Sequence, residues 1–491
     1  MQWILPQSDS LAKLADALAG KYHLNSESSQ AEHLLIVDDF VNHIIRSGCL
    51  LVRQGETYQL YSEEAETLEF SSKKPFHFAA DIAESEFRQR LRSLISVRKL
   101  DAVQEFDLQR QFLTLRNTDD KAVLKMELLT TLNRQILLLK PVRGYEKALK
   151  QITMQLIAMK AESCEGNLPQ VLLTLSDYQI SNYSLRPQLN LPQDILARDA
   201  VAEISLTMLS VARQNEMGIL HHCEDTEYLH DYRVCLRKVR SLVSLLKGVF
   251  PQAVFLELKK RLGLLAGKTN KLRDLDVYLL KQDDYQARLP DNLRDGLPAM
   301  FSDFSLQQKR ARRAVKTWLQ SEAYASEMNA ITGIFRDVGT LPETELSHQS
   351  LQTLIKKKSR KCFRKIGEMG VLIAPETEDE EVHELRKECK KFRYLLDFFG
   401  PLLQHDKVPE MAARLRKLQN TLGKFNDYSV QQDALMQYLE AGKRGDDLAK
   451  SIGALILILA QAQQLQREKV ELRFADFYSP ETKALADQLF Q

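Results

Sequence analysis

The chain has 491 residues and carries 68 Lys and Arg against 66 Asp and Glu, a net charge of +2. That length exceeds one compact core and points to roughly two to four units. The near balance of charge excludes a whole-protein field that would draw in nucleic acid or a membrane, so any polyanion site must be local.

Six cysteines (Cys49, Cys164, Cys223, Cys235, Cys362, Cys389) are scattered without a C-x-x-C pair. This is the pattern of reduced core thiols in a cytoplasm, not of a disulfide framework. The start, Met1 to Pro6, lacks a basic n-region and a long apolar stretch. The run Ala454 to Ala460 is too short to span a bilayer. The expectation is a soluble cytoplasmic protein with no membrane partner.

In chain order, residues 34–80 and 97–142 show short alternating runs at Cys49–Val52, Gln111–Arg116 and Val123–Leu128. Turn signals at Gln54-Gly55 and Asn117 to Asp120 break them. Helical patterns at Phe40–Ser47, Glu84–Ile95 and Tyr145–Met159 interleave, so residues 1–185 read as an α+β domain. After a loop-like stretch from Tyr183 to Pro192, apolar residues recur at helical spacing from about Asp194 to the end. Proline-rich breaks at Pro251, Pro290 to Pro298, Pro342, Pro375, Pro401 and Pro409 divide this all-α part into some eight helices.

That part repeats itself at a constant offset of 153 residues. The segment HDYRVCLRKVR (230–240) lies over HELRKECKKFR (383–393). The same offset carries Arg261 onto Arg414, Leu265 onto Leu418, Lys271 onto Lys424 and Asp274 onto Asp427. At 100° per residue, His230, Arg233, Arg237 and Arg240 fall within about an 80° arc, as do His383, Arg386, Lys390 and Arg393. Opposite them run Leu236, Val239, Leu242 and Leu246, and Leu385, Phe392, Leu395 and Phe399. Acids precede each helix (Glu224, Asp225 and Glu227; Glu378 to Glu381) and suit the positive end of its dipole.

The bland reading of such a stripe is a solvated surface. Against it, no acid falls at i+3 or i+4 inside either stripe to pair the cations, so they repel one another unless an anion compensates. The repetition of stripe, histidine and spacing together has no cause in a generic surface. Two further helices are basic. One carries Lys356, Lys357, Lys358, Arg360, Lys361, Arg364 and Lys365, with Lys357, Lys361 and Arg364 on one face. The other carries Lys309, Arg310, Arg312, Arg313 and Lys316.

The twice-occurring H-x-x-R-x-x-x-[RK]-[RK]-x-R helix, each copy followed by an L-G-like segment and an Asp (within 272–277 and 422–427), resembles the CHAD domain, the conserved-histidine α-helical domain. The resemblance covers about 194–491, with repeat one near 194–335 and repeat two near 345–491. It implies two four-helix bundles related by a pseudo-twofold axis, with a basic groove that binds inorganic polyphosphate. By motif position, His230, Arg233, Arg237, Arg240, His383, Arg386, Lys390 and Arg393 inherit the binding role. Lys271, Lys424, Lys357, Lys361, Arg364, Arg310 and Arg313 join them as further cations. Asp274 and Asp427 inherit the role of orienting carboxylates.

Residues 1–185 faintly resemble a degenerate CYTH domain, through Arg116, Lys125 and Glu127 and the Pro141 to Tyr145 turn. The Glu-x-Glu-x-Lys strand that would hold a divalent metal is absent, and Val37-Asp38-Asp39 replaces it poorly.

The expected function is therefore a polyphosphate-binding protein, cytoplasmic and associated with polyphosphate granules, with no catalytic residue, metal or cofactor. The alternatives are a triphosphate hydrolase working through the CYTH-like part and a nucleic-acid binder. The missing acidic strand opposes the first, and the lack of aromatics interleaved in the stripes opposes the second. His221, His222 and Cys223 with His230 make a poor metal set, since adjacent helical residues diverge by about 100°.

Overall fold

The computed structural model describes residues 1–490 apart from 63–64, 133, 188, 190, 193, 223, 375, 404–405 and 443–444. Its contacts divide the chain into two units, Met1–Tyr183 and Ser184–Gln491. The first is an antiparallel sheet with helices and the second is all helical.

The first unit runs β1 (Gln2–Leu5), α1 (Ser10–Leu18), β2 (Tyr22–Asp38), α2 (His43–Arg46), β3 (Cys49–Gln54), β4 (Thr57–Ser62) and β5 (Leu68–Ser71). It continues with α3 (Glu86–Ile95), β6 (Asp101–Asn117), β7 (Ala122–Thr131), β8 (Arg134–Pro141), α4 (Glu146–Ala158), β9 (Glu162–Cys164) and α5 (Leu168–Leu175). The strands form one sheet in the order β5-β4-β3-β2-β6-β7-β8-β1-β9. Strand alternation sorts the side chains. Leu113, Leu115, Leu124, Met126 and Leu137 face Leu14, Ile152 and Leu156 of α1 and α4. Leu34, Ile36, Phe106, Leu108, Leu129 and Ile136 face Val171 and Leu172 of α5.

Further along this second face the alternation delivers charge instead. Arg110 of β6 places Nε 2.6 Å from Glu32 of β2 and Nη1 2.5 Å from Glu127 of β7, and Lys140 of β8 also binds Glu127. Glu127, one of the residues behind the CYTH resemblance, is thus buried in a ladder across four neighbouring strands. Arg116 turns back to donate to the Asp120 carbonyl at 2.8 Å.

Several local expectations need correction. The helical pattern at Phe40–Ser47 shrinks to α2, because Asn42 takes a left-handed φ of 61° and the buried Asp38 carboxylate accepts from the Ile44 and Ile45 amides at 3.1 and 3.0 Å. β2 begins twelve residues before the strand region read from sequence, since Asn25 to Ala31 carry no apolar alternation and are held by backbone pairing with β6. The Asn117 to Asp120 turn forms as read, with the Asn117 side chain accepting from the Asp119 and Lys121 amides at 3.1 and 2.9 Å.

The second unit holds α6 (Ala197–Gln214), α7 (Glu216–His221), α8 (Glu227–Leu245), α9 (Gln252–Leu280), α10 (Gln282–Arg288), α11 (Leu297–Leu319) and α12 (Glu322–Arg336). These are followed by α13 (Leu351–Gly370), α14 (Asp379–Phe399), α15 (Val408–Glu440), α16 (Asp446–Phe477) and α17 (Pro480–Phe490). The count of eight read from proline breaks is low. Each half has five principal helices, and the short α7 and α10 follow their predecessors without a proline between them.

The repeat offset pairs α6 with α13, α8 with α14, α9 with α15, α11 with α16 and α12 with α17. Equivalent helices meet at the junction of the halves, α8 on α14, α11 on α16 and α6 on α13, as a twofold relation requires. The same relation shows in reciprocal backbone bonds, Ala197 N to Gln349 O at 3.1 Å and Leu351 N to Ile195 O at 3.2 Å.

The run Ala454 to Ala460 lies in the middle of α16, which contains a window long and apolar enough to cross a membrane by length and composition. The expectation of no such segment is corrected on that point. Ile452, Leu455 and Leu459 of this helix pack with Met300 and Phe301 of α11 and Leu435 of α15.

Two glycines on α13 let another helix end approach. A Cβ on Gly367 would lie 2.1 Å from the Tyr478 ring, and one on Gly370 would lie 1.9 Å from Phe474. Phe474 lies in the last turn of α16 and Tyr478 caps it, and the two rings stack on each other with Tyr478 also against Phe363, so they cannot yield freely. Gly370→Ala should therefore destabilise the helical unit by about 1–3 kcal/mol through overpacking, seen as a drop of several degrees in the calorimetric Tm. An unchanged Tm would show that the helices can separate at little cost.

Candidate functional site

Helices α8 and α14 each bury one face completely. Leu236, Val239, Leu242, Leu385, Phe392 and Leu395 have no accessible surface. That anchoring fixes the rotation of each helix, and with it the direction of the cationic face. Because the two helices meet at the junction of the halves, their charged faces converge.

Two cavities open there. One, of about 400 Å³, is lined by His230, Arg237 and Lys238 of α8 and by Arg386, Lys390 and Arg393 of α14. The other, of about 650 Å³, is lined by Arg237 and Arg240, by Lys390 and Lys391, and by Lys358, Lys361 and Lys365 of α13. Arg237 and Lys390, which are equivalent residues of the two copies, line both. A third cavity, of about 650 Å³, adds Lys357, Lys361 and Arg364 and shares Lys361 with the second. The cations thus form a continuous track.

Burial and like-charge crowding together lower the pKa of some of these groups. Burial, followed by the fields of Arg386, Arg237 and Arg393, pushes Lys390 down to about 8, with Asp427 opposing. Burial also lowers Arg386, again opposed by Asp427. In the other copy burial lowers Arg233, opposed by Asp274. Each aspartate thus exerts its field on the arginine of its own repeat.

The repeats are not equivalent in detail. Arg233 donates to the Ala266 carbonyl at 3.0 Å and to Thr269 Oγ1 at 2.6 Å, turning into its own bundle and away from the cavities. At the equivalent positions of the second copy stand Gln419 and Leu422. Gln419 donates to the Cys389 carbonyl and Leu422 has no hydroxyl, and Arg386 lines the smaller cavity.

His383 is half buried but does not line the cavities with His230. Lys271 and Lys424 stand exposed on α9 and α15, and Arg310 and Arg313 stand exposed on α11, all outside the three cavities.

The claim that the stripes lack a paired acid needs one correction. Asp397, just past the second stripe, lies 3.6 Å from Arg393 at i+4. One aromatic, Tyr394, lines both junction cavities, but it is 6% exposed and lies under the Arg393 guanidinium at 5.2 Å, so no open stacking face results. Lys365 and Lys391 also line the larger cavity, though neither stood among the candidate site residues. Their signals were present in the i, i+3, i+7 row Lys358, Lys361, Lys365 and in the doubled lysine at 390 and 391.

Of the poor metal set, Cys223 lies outside the described residues and His222 stacks on Tyr228. Among the described residues, Glu227, His230 and Asp231 bring donor atoms within 4.8 Å of one another, a set able to take a small cation. Glu227 also faces Arg273 at 3.5 Å.

No curated protein matches the chain. Among solved structures it is similar to the CHAD domain from the plant Ricinus communis, at 19% identity and a TM-score of 0.49 over 60% of this chain and 96% of that one. It is also similar to PptA from Streptomyces chartreusis, at 15% identity and a TM-score of 0.41 over 60% of this chain and 100% of that one. Residues 204–436, which contain both basic helices and the aspartates that follow them, match the CHAD domain family, and the chain carries a CHAD domain.

Proposed function

We propose that this protein binds inorganic polyphosphate in the track between its two repeats, within the cytoplasm and at polyphosphate granules. The observation that carries the reading is that Arg237 and Lys390, one from each repeat, line both junction cavities. Polyphosphate has about one negative charge per residue and no bases, so it asks for a row of cations without stacking surfaces. Guanidinium groups supply forked contacts and lysines supply point charge. A row of half-buried cations on rigid helices, in which burial and neighbouring arginines lower Lys390, gains most from a ligand that neutralises several of them together.

On this reading the first unit contributes no triphosphate hydrolysis. The Glu127 carboxylate is engaged by Arg110 and Lys140, which leaves it a poor metal ligand. Triphosphate with Mg²⁺ or Mn²⁺ should release no phosphate above the buffer rate. Turnover abolished by Glu127→Gln would replace the binding reading of that unit with an enzymatic one.

If both repeats hold one chain, the second contact is intramolecular and affinity rises with polyphosphate length until the track is filled. Arg237→Ala with Arg240→Ala, or Lys390→Ala with Arg393→Ala, should each weaken long chains at least about tenfold, the scale of one charge-assisted contact. Triphosphate should lose less, because it can use the intact repeat. Titrations at several salt concentrations decide: equal losses for both lengths would mean two separate sites, and no loss would return the stripes to solvated surface. Single-stranded DNA competing as well as polyphosphate would favour a nucleic-acid ligand instead.

Binding should also depend on pH through Lys390. The free lysine loses its proton near pH 8, and a bound anion favours the protonated form. Affinity is thus fullest below about pH 8 and declines as pH rises through that value, with proton uptake on binding. Lys390→Arg, with its fixed charge, should flatten the decline between pH 7 and 9.5. An identical pH profile in the variant would remove Lys390 from the site.

A further inference from the structure

The larger junction cavity contains one anion of its own. Glu388 of α14 is 3% exposed, and its Oε1 lies 2.7 Å from Lys365 Nζ of α13 and 2.6 Å from Lys391 Nζ of α14. Both lysines are about half exposed and line the cavity beside Arg237, Arg240 and Lys390. Burial pushes the Glu388 carboxyl up, but the two lysine contacts outweigh it and hold the group ionised, below the usual glutamate range.

Bundle packing does not demand this acid. The repeat offset places Cys235 at the position equivalent to Glu388, and it is fully buried. The same offset places Ala212 opposite Lys365 and Lys238 opposite Lys391. In the first copy, Lys238 instead donates to the Leu185 carbonyl. The trio Lys365, Glu388 and Lys391 therefore belongs to the second copy only, on the wall where the track widens toward α13.

A single carboxylate oxygen shared by two ammonium groups gives them the kind of contact a phosphate oxygen gives. We propose that Glu388 is an internal counter-anion: it occupies a ready phosphate position in the α8–α13–α14 cavity, withholds Lys365 and Lys391 from the ligand, and so limits the affinity of the site for polyphosphate. This rests on the polyphosphate reading and adds the residue that regulates its strength. The alternative is a staple that only ties α13 to α14. A staple contributes to stability and leaves the ligand's charge count untouched, whereas a counter-anion subtracts from it.

The test is a titration of the full-length chain with long-chain polyphosphate at four or more salt concentrations, for wild type, Glu388→Gln and Glu388→Cys. The cysteine variant restores the residue of the first copy and serves if the glutamine variant folds poorly by circular dichroism. Release of both lysines should tighten binding about 3- to 30-fold, the scale of two half-exposed ion pairs no longer competing. It should also steepen the log–log salt slope by about 1.4, two further cations at roughly 0.7 each.

Lys391→Gln should cost little in wild type and clearly more in the Glu388→Gln background. A folded variant that binds no tighter than wild type, with an unchanged slope, overturns the counter-anion and leaves the polyphosphate reading standing. A folded wild type that binds no polyphosphate overturns that reading. Binding by the variants alone would then support the counter-anion, and binding by neither would overturn it too.

Discussion

The meeting of α8 and α14 at the junction of the two repeats governs the rest of the helical unit. Each helix buries a continuous apolar face without accessible surface, which fixes the azimuth at which its cations emerge. Placing two such helices against each other brings together charges that each bundle alone would hold apart. The cost is visible in the residues themselves: Lys390 is pushed to about 8 by burial and by three arginines, one of them from the other repeat. A fold selected for stability alone would spread these charges into water, where like-charge pairs cost only tenths of a kcal/mol. Concentrating them in cavities makes sense if an anion completes the arrangement.

The acids near the track then acquire distinct roles from their positions. Asp274 and Asp427 each act on the arginine of their own repeat from the following long helix. Asp397 faces Arg393 from the next turn of the same helix. Glu388 alone is buried between two lysines on different helices. Asp427 and Asp397 thus act on guanidinium groups that line a junction cavity, whereas the arginine served by Asp274 turns into its own bundle. Glu388 neutralises ammonium groups that would otherwise face the cavity. The two stripes differ only at Arg237/Lys390, and the differences at Thr269/Leu422 and Cys235/Glu388 make their surroundings unequal.

Legibility in the sequence followed the strength of periodic patterns. The basic helices were readable because a repeated stripe and its apolar reverse face occupy one regular element, and Arg237, Arg240, Arg386, Lys390 and Arg393 all line the junction cavities. Arg233 was misjudged because its direction is set by Thr269 on another helix, a tertiary contact that no spacing rule contains. Lys365 was seen only as part of a cluster, since its cavity exists only once α13 lies beside α14. In the first unit, β2 escaped because its amino-terminal half is polar on both faces and is held by backbone pairing with β6. Helix counting failed where chains turn without proline, as between α6 and α7 and between α9 and α10.

The two units handle buried charge in opposite ways, and the contrast bears on function. In the sheet, Glu32, Arg110, Glu127 and Lys140 alternate in sign across neighbouring strands, so each charge finds its complement inside the protein. Such a ladder is satisfied and asks nothing of a ligand. In the helical unit, Arg237, Arg240, Lys358, Lys361 and Lys390 share one cavity whose lining includes a single acid, and that acid is already bound to two further lysines. An excess of one sign held on rigid helices leaves charge that the protein itself does not pair within that cavity. On the proposed reading its complement is a flexible run of negative charge longer than any one cavity, because neighbouring cavities share Lys361 on one side and Arg237 with Lys390 on the other.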